Sequence, residues 1–201
     1  MFSAPVTCSS VSLLVNDQPT TVASTGELAT DLDETQYEKG HGPCLHAART
    51  GEVTEIPDTR TDDRWPDYTP RAVEHGNLSS LSVPLAIDQD AQVSGALNIY
   101  ARRPDAFDAA SRSVATRFAP YAAVATGNLY TYQSARDMAD TLQTALESRA
   151  VIDQAKGILM ERHKLTADQA FQLLAGASMR TNRKLRDIAE HLVRTGEFRL
   201  P

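Results

Sequence analysis

The C-terminal quarter of the chain holds the strongest constraint on the fold: three short amphipathic stretches divided by helix-capping signals. Val151, Ile152, Ala155, Ile158 and Leu159 recur at helical spacing and end near His163-Lys164. Thr166-Ala167-Asp168-Gln169 is a capping box, with Thr at the N-cap and Gln three residues on. It opens a second helix that buries Ala170, Phe171, Leu173, Leu174 and Ala177. Thr181-Asn182 caps a third helix, with Leu185, Ile188, Ala189, Leu192 and Val193 inward and Gly196 as its stop. Helices this short are marginal alone in water, so they must bury their stripes on one another. The sequence predicts a compact three-helix bundle.

Upstream the period changes from helix to strand. Val6, Cys8, Val11, Leu13 and Val15 alternate with small polar residues up to Asn16-Asp17-Gln18-Pro19, and Thr20–Ser24 reads as the second arm of a hairpin. An acidic helix follows over Glu27–Tyr37. Gly40-His41-Gly42-Pro43 breaks it, and a short helix covers Cys44–Arg49. Val53–Ile56 is a strand, and Trp65–Glu74 allows a short helix interrupted by Pro66 and Pro70. Leu78–Ile87 and Val93–Tyr100 form a hairpin around Asp88-Gln89-Asp90, each arm alternating as if one sheet face were buried. About five strands with helices between and after them predict an α+β antiparallel sheet.

Asp108 is a candidate N-cap for the next segment, in which Val114, Phe118, Tyr121, Val124 and Ala125 recur at helical spacing. Pro120 threatens a kink, and Gly127-Asn128 is the expected break or hinge. Beyond it Ala135, Met138, Leu142, Ala145, Arg149, Ile152, Lys156 and Leu159 alternate at spacings of three and four. That imperfect heptad seam predicts either a helix packed on its own domain or a parallel coiled-coil dimer through about 129–147.

Charge divides the chain in the same way. The net charge is −6, from 20 Lys+Arg against 26 Asp+Glu. Residues 147–201 carry ten of the bases and seven of the acids, so residues 1–146 hold ten bases and nineteen acids. Only the C-terminal part is suited to meet a polyanion. The apolar content of 41% predicts a globular protein, and no run gives the about 20 apolar residues of a membrane span. Met1-Phe2-Ser3-Ala4-Pro5 lacks a basic n-region and an apolar h-region, so no secretory signal is expected. Two cysteines, Cys8 and Cys44, are expected as reduced thiols in a cytoplasmic protein.

Between Leu146 and Gly196, Ser148-Arg149, Ile152, Ala155-Lys156-Gly157-x-Leu159-Met160, Ala170-Phe171, Ser178 and Asn182-Arg183-Lys184-Leu185 resemble the ANTAR domain. This is a three-helix RNA-binding output module of bacterial antiterminators. The resemblance implies a homodimer that captures paired RNA stem-loops and keeps a terminator hairpin from forming. The residues expected to meet RNA are Arg149, Lys156, Arg180, Asn182, Arg183, Lys184 and Arg186. Four of the cations cluster at the start of the third helix, whose free N–H groups favour phosphate. Asn182 and Arg183 can read base edges in a loop. Lys156 beside Gly157 lets a phosphate approach the first helix, unless Gly157 serves only a tight helix crossing. Arg149 is either an RNA contact or a partner of Glu147 or Asp153, and Ser178 and Asn182 are caps or contacts.

Gly40-His41-Gly42-Pro43-Cys44, Gly95-Ala96-Leu97-Asn98-Ile99 and the order of elements resemble the GAF domain over about residues 6–126. GAF domains are six-stranded-sheet sensors that hold small ligands between the sheet and its loops, which makes Cys44 a candidate ligand-binding residue. A GAF domain usually opens with a helix packed under the sheet, yet only about five residues precede the first strand here. The expectation is a truncated start, or cover from the linker helix of this or a partner chain.

Cys44 with His41 and His46 is the only group that suggests nucleophilic or redox chemistry, through a thiolate at a helix N-terminus. Some GAF-fold proteins attach a bilin through cysteine or reduce methionine sulfoxide. Here Cys44-Leu45-His46 lacks the adjacent Cys-His pair, and Cys8 has no evident resolving role. His75 and His191 have no metal-ligand spacing with a cysteine. The expected protein is therefore not an enzyme, and no cofactor can be named. It has a GAF-like sensor over 1–126, a helical linker or coiled coil over 127–146 and an ANTAR RNA-binding bundle over 147–201. It is expected as a homodimer that binds stem-loop RNA, with a small ligand or redox signal acting on the sensor. A DNA-binding helix-turn-helix regulator is the alternative.

Overall fold

The computed structural model describes residues 6–88 and 92–198, in two compact units, 1–131 and 132–201. The turn expected at Asp88-Gln89-Asp90 lies largely outside the described residues.

The first unit is built on a five-stranded antiparallel sheet of order β2-β1-β5-β4-β3. Its strands are β1 (Val6–Val15), β2 (Gln18–Ser24), β3 (Thr54–Ile56), β4 (Ser79–Asp88) and β5 (Val93–Ala101). Helices α1 (Glu27–Lys39), α2 (Pro43–Thr50) and α3 (Thr69–Glu74) connect them. The expected one-sided sheet is corrected, because β4 is buried at every position from Ser79 to Val83. Leu81, Val83, Leu85 and Leu97 face one layer, packed against Ala115, Ala119, Ala122 and Ala123. The opposite face meets α1, α2, α3 and the loop before α3, through Leu32, Leu45, Trp65, Tyr68 and Ala72. Alternation in β4 and β5 separates two buried faces rather than core from solvent.

The alanines belong to α4, which runs from Ala109 to His163 and is capped at its start by Asp108, whose Oδ1 accepts from the Ser111 N–H at 2.7 Å. This helix covers the sheet face expected to need a partner. The stripe that packs is not the one its bulk suggests. Val114, Phe118, Tyr121 and Val124 are exposed, and small side chains go inward because alanine lets a helix lie close to a sheet. The break expected at Gly127-Asn128 does not occur. Gly127 is half-buried, and a Cβ there would come within 3.0 Å of Ile87 Cγ2, so the glycine serves close packing instead.

In the second unit the end of α4 packs with α5 (Ala167–Thr181) and α6 (Leu185–Thr195). Ala155, Leu159, Ala170, Leu174, Ala177, Ile188, Ala189 and Leu192 form the core. The capping box at Thr166 is present in both directions, with Gln169 N donating to Thr166 Oγ1 at 3.2 Å and Thr166 N to Gln169 Oε1 at 2.9 Å. Gly196, at φ 70°, ends α6, and an Arg162 guanidinium from α4 donates to its carbonyl. Three local expectations are corrected. Phe171 is 39% exposed and Val193 36%, because the core closes on Ala170 and Leu174 and on Ala189 and Leu192 instead. Thr181-Asn182 does not open α6. Asn182, at φ 50° and ψ 35°, is the C-cap of α5, and Lys184 is the N-cap of α6 with no side-chain cap bond.

The seam of α4 also divides. Leu159 is fully buried in the bundle, whereas every residue from 131 to 147 is exposed, Tyr132, Met138, Leu142 and Leu146 among them. No helix of the described residues is long and apolar enough to cross a membrane.

Candidate functional sites

The cationic face of the second unit is assembled by the α5–α6 turn. Asn182 supplies the left-handed residue that reverses the chain, and its short polar side chain tolerates that conformation. Ser178 Oγ, from the last turn of α5, donates to the Arg183 carbonyl at 2.6 Å and fixes the exit from the turn. Arg180, Arg183, Lys184 and Arg186 thus gather around the uncapped start of α6. Within the described residues no ion pair ties Arg180, Arg183 or Lys184 to an acid. Arg180 lies over the bare backbone of Gly176, where a Cβ would stand 3.1 Å from its Nη1.

The other expected cations are engaged. Arg186 Nε donates to Glu190 Oε1 at 2.7 Å, and its Nη2 lies 3.6 Å from Glu147 Oε2. Lys156 Nζ donates to Asp153 Oδ1 at 2.9 Å, and Arg149 Nε stands 3.8 Å from Asp153 Oδ2. The Lys156 hydrogen bond and charge hold the Asp153 carboxyl below the usual range. A Cβ at Gly157 would meet nothing within 4 Å, so no helix crossing among the described residues requires the glycine. Two hollows adjoin the turn and share Arg183 and His191. His191 was not among the expected site residues. Its spacing of four from Asp187, one turn along α6, was the available signal.

The first unit contains a buried polar layer on the sheet face covered by α1–α3. Cross-strand register sets Ser10 beside Asn98 and Asn98 beside Ser82, with Thr54 next on the edge strand, all buried. Above them lies Asp33, fully buried on α1. Its carboxylate accepts from Tyr100 Oη at 2.6 Å, Thr21 Oγ1 at 2.8 Å and Asn98 Nδ2 at 3.3 Å. Among the described residues no cation faces it, and burial outweighs the hydrogen bonds, so its pKa is raised. The hydroxyls of Tyr68, Ser80 and Ser82 and Asn98 Oδ1 are buried without a hydrogen-bond partner. Polar residues at alternate positions of β1 and β4 were the legible signal for this layer.

Cys44 belongs to the same layer. Its backbone N–H donates to Gln36 Oε1 at 2.8 Å, and its Sγ lies 3.1 Å from Ser12 Oγ and 3.3 Å from Asn98 Nδ2. Although Cys44 stands in the first turn of α2, burial and then the nearby Asp33 push its thiol up to about 12. Burial and Asp33 likewise push Cys8 up to about 11. Both thiols are free and buried. The neighbouring histidines turn elsewhere, His41 to Asp67 at 3.4 Å and His46 to the edge of Trp65. Thiols held protonated are poor nucleophiles. Among the described residues no group of His, Cys, Asp and Glu is arranged to hold a metal ion.

The family model for the GAF domain matches residues 5–126, and that for the ANTAR domain matches residues 140–193. No curated protein matches the chain. Among solved structures, the first unit is similar to a domain described as part of a two-component sensor histidine kinase from Sinorhizobium meliloti. That likeness has 17% identity over 65% of this chain and 86% of the other, with a TM-score of 0.52. It is also similar to a type II free methionine-R-sulfoxide reductase from Thermoplasma acidophilum, at 16% identity over 59% and 77% with a TM-score of 0.46. A GAF domain/HD domain protein from Geobacter sulfurreducens gives 22% identity over 62% and 84% with a TM-score of 0.45. The first likeness shows the shared fold of the sheet unit. With one family model spanning most of the chain and the other following it, this protein belongs to the GAF domain family and has the GAF-ANTAR architecture, a sensor domain followed by an RNA-binding output domain.

Proposed function

We propose that this chain is a signal-responsive transcription antitermination regulator, acting as a homodimer that binds paired RNA stem-loops through residues 147–201. The observation that supports it most is the α5–α6 turn, where Arg180, Arg183 and Lys184 stand without acidic partners beside an uncapped helix start. Phosphate is stabilised there by side-chain charge, by backbone N–H groups and by the helix dipole together. Asn182 and Arg183 reach the bases. Lys156, Arg149 and Arg186 extend the contact once phosphate displaces their exposed carboxylate partners, and exposed pairs of this kind contribute little to stability.

The dimer is supported by the stretch 131–147. A helix with no packed face is marginal in water, yet five turns of α4 carry Tyr132, Met138, Leu142 and Leu146 into solvent. A second copy at heptad spacing buries that face. The linker over 127–146 is accordingly assigned to a coiled coil. The sensor over 1–126 is assigned a small ligand in the polar layer, since several buried polar atoms there have no protein partner and the raised thiols give little support to redox chemistry at Cys44.

A competition gel shift tests the output reading, with a two-hairpin RNA set against duplex DNA of equal charge. RNA is expected to win, and preference for the duplex would favour the helix-turn-helix alternative outlined by α5, the turn and α6. Charge reversal at Lys184 should weaken binding and reduce its salt dependence by about one unit of slope per lost phosphate contact.

A further inference from the structure

We propose that Arg183 and His191 form a partition between two seats for unpaired RNA bases, and that Asp187 and His191 determine which bases those seats accept. The inference rests on the RNA-binding reading above and deepens it. One hollow, of about 460 Å³, is lined by Val151, Asp187, Glu190 and Arg194 together with Arg183 and His191. The other, of about 370 Å³, is lined by Ala177, Ile188, Glu197 and Phe198, again with Arg183 and His191. Arg183 and His191 are the two residues common to both hollows. Both volumes fall in the range of small-molecule sites, about 300–1,000 Å³.

The chemistry of the partition suits bases. Guanidinium and imidazole are the planar groups on which splayed-out loop bases stack. Ser178 fixes the Arg183 backbone through its carbonyl, at 2.6 Å, which leaves the exposed guanidinium free to close on a base, and His191 is half-buried on α6, so the imidazole is already partly ordered. The two hollows differ in what else they offer.

In the larger one, Asp187 has no ion-pair partner among the described residues, whereas Glu190 already accepts from Arg186 at 2.7 Å. A carboxylate outside any ion pair repels phosphate but accepts from amino groups on a base edge. It therefore favours adenine, cytosine or guanine over uracil, whose N3–H is flanked by two carbonyl oxygens. The smaller hollow, with Ala177, Ile188 and Phe198, discriminates by shape and stacking instead. Arg194 lines the larger hollow, and Arg180 and Lys184 adjoin Thr181 and Arg183 in sequence, so phosphates of a splayed loop would meet these cations.

The test uses the full chain and a pool of two-hairpin RNAs with randomised loops, with the bound fraction sequenced. Wild-type protein should deplete uracil at one loop position and enrich base identity at a second. Asp187→Asn, whose amide can also donate, should restore uracil at the first position by about tenfold. His191→Ala and His191→Gln should flatten preference at both positions while leaving the salt slope of binding unchanged, because no phosphate contact is lost. The Gln variant keeps a polar tip on an intact helix and separates loss of the ring from loss of the fold. Retention of RNA with loop preferences unchanged in all three variants overturns the inference and leaves RNA binding standing. A wild-type chain that retains nothing from the pool overturns the RNA reading and the inference together.

Discussion

Leu142→Asp should dissociate the homodimer proposed above. In the single chain Leu142 is 55% exposed and Leu146 63%, and every residue from 131 to 147 is exposed. Full burial of a leucine is worth about 1.5–3 kcal/mol, and roughly half of that remains to be gained by a side chain already half covered by its own helix. Each substitution counts twice in a homodimer, so lost burial alone costs about 1.5–3 kcal/mol, roughly 13- to 160-fold in Kd. Two carboxylates brought to one apolar seam add a desolvation cost in the same direction. Sedimentation equilibrium over a range of loading concentrations measures the shift, and circular dichroism verifies that the bundle remains folded. Thr144→Asp supplies the control, since it places the same charge on the same helix but about 200° around from Leu142. The reasoning is refuted if Leu142→Asp and wild type dissociate with the same constant, or if wild type sediments as a monomer at every concentration.

Two further outcomes follow from the interior and from the bare helix surface. The raised pKa of Asp33 means that the fold binds its proton more tightly than the unfolded chain does. That contribution is therefore full below the unfolded value of about 3.9 and is lost as pH rises through the folded value. Asp33→Asn should abolish this slope and leave the melting temperature at pH 7 equal to or above wild type, whereas a clear fall at pH 7 would mean that the charge itself holds the layer together. Gly157→Ala should stabilise α4 by about 1 kcal/mol, because a Cβ there meets nothing within 4 Å, yet weaken RNA binding if phosphate approaches that backbone. Thermal melts and gel shifts on one preparation separate the two effects.

Much of the fold was legible because local chemistry and tertiary structure agree. The hairpin arms, the Asp108 cap and the Thr166 capping box each satisfy backbone groups with residues close in sequence, and these elements stand where the pattern places them. The failures share one physical origin, which is that periodicity counts apolar residues without knowing which stripe meets a neighbour. In α4 the bulkier stripe Val114, Phe118, Tyr121 recurs at helical spacing, but the sheet selected Ala115, Ala119 and Ala122 because close approach is worth more than side-chain size. Gly127 resembled a hinge for the same reason. Its requirement comes from Ile87, forty residues away in sequence, and no local rule carries that information. Within the polar layer Asp33 was equally hidden, since it sits in an acidic helix that composition assigns to solvent, whereas the alternating polar residues of β1 and β4 were open to reading.

The candidate RNA site shows how charge counting can mislead in the opposite direction. Residues 147–201 carry only a small surplus of bases, which suggests weak attraction for a polyanion. Position matters more than the sum. Glu147, Asp153, Glu161 and Glu190 pair with Arg186, Lys156, Lys164 and again Arg186, so much of the acid is spent close to its own base. Arg180, Arg183 and Lys184 keep their full charge at the one turn where a helix start also points free N–H groups outward. Within a Debye length of about 8 Å, an approaching phosphate senses that local group rather than the net charge of the chain. Asp187, in the first turn of α6, is favoured by the helix dipole although it stands among cations. A carboxylate there weakens phosphate binding, and under the proposal above it meets the neutral edge of an unpaired base instead.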